Sequence, residues 1–250
     1  MSNSNALVIG ASQGIGLGFV HHLLQKSDIK TIYATYRSID TAIGLLALAE
    51  QHPTRVRCIA VDVTQEAQIE SCCEQIQATG NQIHWVINCV GILHEQELQP
   101  EKGLRQLNAE QLTWYFQVNS IGAALWAKHL LPLLKHEDRS IFATLSAKIG
   151  SIGDNRLGGW YGYRASKAAL NMFMHTAAIE YRRRSPQTIV VTLHPGTTDT
   201  KLSKPFQQNV PPEKLFSVDR TVTQLSAVLD GLSKDNSGQF FSWDGSQLPW

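Results

Sequence analysis

The sequence predicts an α/β fold, a doubly wound parallel sheet in a single domain over residues 1–250. Three observations carry that prediction. Short apolar runs alternate with helical patterns almost throughout. The first apolar run passes straight into a glycine-rich turn that opens a helix. No Pro/Gly/Ser-rich linker, internal repeat or low-complexity stretch divides the chain.

Each element has its own warrant. ALVIG (Ala6–Gly10) reads as a buried strand, followed by a helical pattern from about Gly14 to Lys26. TIYATY (Thr31–Tyr36) is β-branched and aromatic, hence a strand, with a helix from about Thr41 to Glu50. RVRCIAVDV (Arg55–Val63) is the third strand, and Gln65 to Gln77 is helical. IHWVINCVG (Ile83–Gly91) is the fourth, followed by two helical stretches over about Ala109 to Leu134. SIFATLS (Ser140–Ser146) leads to a long helix ending near Arg184, and TIVVTLHPG (Thr188–Gly196) is the sixth strand. A helix within Glu213–Leu232 and a last strand in GQFFSW (Gly238–Trp243) complete the chain. A parallel sheet covered on both faces binds ligands outside the carboxyl ends of its strands.

Composition narrows the function classes. The 250 residues, 43% hydrophobic, suffice for a sizeable core. Lys+Arg of 22 against Asp+Glu of 21 gives no field that would attract nucleic acid, so no nucleic-acid partner is expected. The basic run Arg182–Arg184 suits a solvated helix end. No segment is long enough to span a bilayer, and the opening residues lack the basic region of a secretion signal; no membrane partner and a cytoplasmic location are expected. Cys58, Cys72, Cys73 and Cys89 lack metal-ligand spacing and the histidines are scattered, so no metal is expected. Cys72 and Cys73 read as two small side chains on a helix.

The strand ends hold the chemistry. GASQGIG (Gly10–Gly16) joins the first strand to the first helix, whose free N–H groups suit a phosphate. Gly10, Ser12, Gln13, Gly14, Ile15 and Gly16 are therefore candidate cofactor contacts. An NAD site usually has an acid at the end of the second strand, for the ribose. Here Arg37 and Ser38 stand there, and a guanidinium pairs well with the 2′-phosphate of NADP. Asp62, Val63, Asn88, Val90, Gly91 and Ser146 end further strands and line the same rim. Asn119, inside a helical stretch and followed by Gly122, costs helix stability and calls for a local reason. In WYGYRASKAALNMF (Trp160–Phe173), Tyr163 has Lys167 four residues on, and Tyr161 has only Ala165 there. A cation beside a phenol pulls its pKa down, making Tyr163 a candidate acid or base.

These motifs together resemble the short-chain dehydrogenase/reductases along nearly the whole chain. The glycine turn matches that family's cofactor loop, and Asp62-Val63 its adenine-side acid. Asn88-Cys89-Val90-Gly91 looks like its N-N-A-G motif with two substitutions. Asn119, Ser146, Tyr163 and Lys167 match its catalytic tetrad, and Pro195-Gly196 with Thr197, Thr198 and Thr200 resembles its nicotinamide-side loop. GSIGDNRLGGWYGYRASKAALNM and GQFFSWDGSQLPW look like the subgroup of sniffer-type carbonyl reductases and C-factor-like proteins.

The resemblance implies a Rossmann fold and NADP(H)-dependent reduction of a small-molecule carbonyl. Tyr163 would protonate the carbonyl oxygen, with its pKa lowered by Lys167. Lys167 would also bond the nicotinamide ribose, Ser146 would hold the substrate oxygen, and Asn119 would anchor a water leading protons toward Lys167. Tyr163, Lys167, Pro195, Gly196, Thr198 and Thr200 would contact the cofactor. Gln13 stands where many NADP-using relatives carry a basic residue, so the NADP assignment rests on Arg37. The alternative is a C-factor-like signalling protein with little turnover. A homo-oligomer, dimer or tetramer, is expected. Residues 147–160 and 197–216 are expected to shape the pocket, the latter as a mobile lid. Leu248, Pro249 and Trp250 are expected to pack against the domain or a partner subunit.

Overall fold

The computed structural model describes residues 4–95 and 98–250. Its strands are β1 (Ser4–Ile9), β2 (Ile29–Tyr36), β3 (Val56–Ala60), β4 (Trp85–Asn88), β5 (Ser140–Leu145), β6 (Thr188–His194), β7 (Thr197–Thr198), β8 (Leu215–Phe216) and β9 (Phe240–Ser242). Its helices are α1 (Gly14–Gln25), α2 (Ile43–Gln51), α3 (Glu66–Ala78), α4 (Ala109–Phe116), α5 (Gly122–Leu134), α6 (Tyr161–Arg184) and α7 (Val218–Asp230). Seven strands form one sheet in the order β3-β2-β1-β4-β5-β6-β9, every neighbouring pair parallel. Parallel neighbours need crossovers, which the helices supply.

Alternation along each strand sends neighbours to opposite faces. Ala6 and Val8 of β1 pack with Phe19 and Leu23 of α1, Leu45 of α2 and Leu225 of α7. Leu7 and Ile9 pack on the other side with Ile69 of α3, Trp126 of α5 and Leu170 of α6. Both faces are covered, so β1 is buried at all six positions, and its Ala6–Ile9 part reads as an unbroken apolar run. The order reverses at β1, between β2 and β4, and the glycine turn emerges there.

Three departures from the sequence reading have physical causes. β3 stops at Ala60, short of the expected Val63, because the Asp62 carboxylate takes over: its Oδ1 accepts from the N–H and the hydroxyl of Thr64 at 2.9 and 2.8 Å. The stretch 197–216, expected as loop, contains β7 and β8, which pair in parallel; two-residue strands have no periodicity to read. Between α4 and α5, residues Gln117–Ile121 form a π turn. This is the local reason Asn119 called for, since π turns interrupt the ordinary ladder and recur at functional sites.

Cys72 and Cys73 lie buried on α3, and burial pushes both thiols up, Cys72 to about 12. That is the setting of inert core cysteines.

The last residues of the sequence pack on the domain. The Trp250 ring stacks on Phe240 at 5.8 Å between centroids and meets His175 of α6 edge-on at 5.3 Å. The Gly153 N–H donates to the main-chain oxygen of Trp250 at 2.8 Å, and the Leu248 N–H to Phe240 O at 2.8 Å. Each aromatic pair contributes about 0.5–1.5 kcal/mol. Deleting Gln247–Trp250 should therefore lower the melting temperature by roughly 2–12 °C. An unchanged melting curve would show that these contacts add nothing.

Candidate active site

A cavity of about 530 Å³ runs along the carboxyl ends of the strands, from Arg37 at one end to Tyr163 and Ser146 at the other. At its centre β1 turns into α1. Gly10 takes φ +76°, which a residue with a Cβ rarely adopts. A Cβ on Gly16 would collide with the Gly10 carbonyl oxygen, so the helix can pack this tightly on the turn only with glycine there. Gln13, at the start of α1, offers no side-chain hydrogen bond. The first-turn N–H groups are thus left uncapped by it at the positive end of the helix, where a phosphate binds. Ser12, Gln13, Gly14 and Ile15 all lie on the cavity wall. The cradle fits a dinucleotide pyrophosphate.

At the β2 end, Arg37 Nη2 donates to Glu95 Oε1 at 2.6 Å, with both side chains partly exposed. Asp62, Val63, Val90 and Gly91 also line the cavity, as expected. Ser38 and Asn88 do not. Ser38 begins a short 3-10 turn, and its carbonyl accepts from the Thr41 N–H and hydroxyl. Asn88 is 2% exposed, and its Oδ1 holds the Val90 N–H at 3.1 Å, so it shapes the turn from behind. Thr41 and Glu95 reach the wall without having been singled out.

Ser146, Tyr163 and Lys167 meet at the other end. Tyr163 and Lys167 occupy successive turns of α6 and point the same way. Tyr163 is 7% exposed, whereas Tyr161 is 37% exposed and lies off the wall. Lys167 Nζ donates to Leu145 O at 3.0 Å and sits 6.0 Å from the Tyr163 ring centroid. At that distance burial dominates both groups. It pushes the Tyr163 phenol above its ordinary value and brings Lys167 down to about 8. This corrects the expectation that Lys167 lowers the Tyr163 pKa: the phenol is held protonated.

Asn119 lies behind this corner. Its Oδ1 accepts from the Ile92 N–H at 2.7 Å, and its Nδ2 donates to Ile92 O and to Ser166 Oγ, both at 3.0 Å. The side chain ties the loop after β4 to α6. Pro195 and Thr200 are on the wall, but Gly196 and Thr198 are not. A Cβ on Gly196 would meet the Phe216 ring, and the Thr198 hydroxyl pairs with that of Thr221 at 2.8 Å, so both secure the base of the lid.

Over Tyr163 sits an aromatic group. Trp160, at φ +52°, meets Tyr163 edge-on at 6.2 Å and Phe206 of the lid at 4.9 Å. Lys201 and Leu202 join the wall from the stretch 197–216 expected to shape the pocket, and His94 joins it unmarked in the sequence, because a lone loop residue carries no periodic signal. His84, His136 and Asp138 cluster far away, just before β4 and β5. His84 Nδ1 accepts the Asn5 N–H, and its Nε2 lies 3.7 Å from an Asp138 carboxylate oxygen, so the ring is already committed to partners within the chain.

Comparison with known proteins agrees with this geometry. The family model of the short chain dehydrogenases matches residues 4–211. The NADPH-bound carbonyl reductase from chicken fatty liver superposes with a TM-score of 0.88 at 29% identity, covering all of both chains. The carbonyl reductase Sniffer of D. melanogaster shares the fold, with a TM-score of 0.86 at 23% identity over all of both chains. The C-signal of Myxococcus xanthus is 32% identical over 135 residues, 54% of this chain and 76% of that protein. With a glycine cradle at the sheet's switch point and a Tyr–Lys pair facing it across one cavity, the chain belongs to the short-chain dehydrogenase family and is an NAD(P)-dependent oxidoreductase.

Proposed function

We propose that residues 1–250 act as one NADPH-dependent reductase of a small-molecule aldehyde or ketone, with Tyr163 as proton donor. The observation that carries this reading is the convergence of Ser146, Tyr163 and Lys167 on one end of a cavity whose other end presents Arg37. The NADPH in the chicken reductase and the similarity to that protein support it.

NADPH, when bound, supplies the hydride. The uncapped start of α1 would hold the pyrophosphate, and Arg37, paired here with Glu95, would hold the 2′-phosphate. Lys167 would hold the nicotinamide ribose. Tyr163, protonated at neutral pH, gives its hydroxyl proton to the carbonyl oxygen, and Ser146 holds that oxygen. Both ends of the Asn119 side-chain amide are engaged within the chain, so its role is to tie the loop after β4 to α6 beside Lys167. Trp160, Leu202 and Phe206 exclude water from the reacting centre. A screen of quinones, aldehydes, diketones and keto esters, following NADPH loss, tests the reading. Consumption of NADPH with at least one class is the expected result, and none with any class would refute it.

The pH dependence follows from Lys167. Below about pH 8 it is charged and above it neutral. The kcat/KM for NADPH should therefore be flat from about pH 6 to 7 and fall as pH rises through about 8. A profile level to pH 10 would remove Lys167 from that role.

The free cysteines fit the reducing cytoplasm. Met172, Phe173 and Ile179, exposed along α6, supply an apolar face for the expected homo-oligomer. The C-signal relative keeps a signalling use as the second reading. A Tyr163→Phe protein that loses turnover but retains a signalling phenotype would favour it.

A further inference from the structure

We propose that Asn171 is the positioning residue for Ser146, its amide setting whether the serine hydroxyl gives or takes a hydrogen bond in the cavity. The inference rests on the reductase reading above. Asn171 lies on α6 one turn beyond Lys167 and two beyond Tyr163, so the three leave the helix on one face. It is 3% exposed, and its Oδ1 accepts a hydrogen bond from Ser146 Oγ at 2.6 Å. Its Nδ2 is buried with no partner.

An idle buried donor costs stability, and a leucine of similar size would avoid that cost. Packing therefore does not account for an asparagine here, whereas the serine does. A hydroxyl has a single proton. While Oδ1 takes it, Ser146 turns only lone pairs to the cavity and cannot donate to a carbonyl oxygen. The terminal torsion of an amide is broad and roughly two-fold. A half turn brings Nδ2 to Ser146. The amide then donates, its idle group is used, and the serine proton is free for the carbonyl oxygen beside the Tyr163 phenol. By strand alternation Thr144 shares the sheet face of Ser146, and it and its register partner Thr192 carry buried hydroxyls without partners, donors of the kind the displaced oxygen would need.

The test compares Asn171→Leu and Asn171→Asp with the unmutated protein. At pH 8 both should lower kcat for ketone reduction about 10- to 100-fold, within the range for an oxyanion donor. The NADPH dissociation constant should stay within about twofold. Asn171→Asp should regain activity as pH falls toward 5, because a protonated carboxyl can donate to Ser146 as the amide does. Asn171→Leu should regain none. In a Ser146→Ala background, Asn171→Leu should cost nothing further, as for residues acting as a unit. The melting temperature of Asn171→Leu should equal or exceed that of the unmutated protein. Full kcat in Asn171→Leu, an equal loss with and without Ser146, or a melting temperature lowered by more than about 4 °C would each overturn the proposal. The melting comparison needs no substrate. A protein that reduced no ketone would therefore refute the reductase reading, while the melting comparison still judged Asn171.

Discussion

Tyr163→Phe should cut carbonyl reduction by about 10²- to 10⁴-fold while NADPH binds as before. The substitution removes one oxygen and leaves the ring that packs against Trp160 and Tyr115. No hydrogen bond of the folded chain uses that hydroxyl among the described residues, so its loss should not destabilise the fold. Tyr161→Phe is the control. Its ring is partly exposed and off the cavity wall, and the variant should keep nearly all activity. Fluorescence titration with NADPH separates binding from turnover. Equal turnover by Tyr163→Phe and the unmutated protein would remove Tyr163 from the reaction.

The second large effect belongs to Arg37. A charge-assisted hydrogen bond contributes about 1.5–3 kcal/mol, or roughly 10- to 100-fold in affinity. Arg37→Ala should weaken NADPH binding by that factor and leave NADH binding within about twofold. The structure adds a competitor, since Glu95 holds the guanidinium at 2.6 Å. That pair is solvent-exposed and worth at most about 1 kcal/mol. Glu95→Gln should therefore tighten NADPH binding by about fivefold or less. Equal affinity for NADPH and NADH in the unmutated protein would contradict the assignment of Arg37.

Much of this was legible in the residues. Alternation of apolar runs with helical patterns marked the seven main strands and their order along the chain, because burial on both faces puts apolar runs in the central strands. The helical offset of four chose Tyr163 over Tyr161, and burial agrees. The misplacement of Asn119 in a helix was visible as a cost, and the π turn is its cause. Other features had no local signature. Glu95 approaches Arg37 from 58 positions away, and no spacing rule connects them. Ser38, Asn88, Gly196 and Thr198 match the expected loops yet do not line the cavity, since matching a motif fixes a turn and not which atoms face the opening. The Tyr163 pKa went the other way because four-residue spacing gives proximity but not burial. Asn171 was within reach of the same helical offset from Lys167. What was missing was the position of Ser146, which only the packing of α6 on the sheet supplies.

The most direct measurement uses NADPH carrying deuterium on the transferable position of its nicotinamide. The protein is incubated with the carbonyl that best drives NADPH loss, and the alcohol product is examined by mass spectrometry and NMR. Hydride transfer followed by protonation from Tyr163 predicts one deuterium on the carbinol carbon, and no labelled alcohol from Tyr163→Phe at matched times. An alcohol without deuterium on that carbon, or no alcohol from any carbonyl in the screen, would contradict the account.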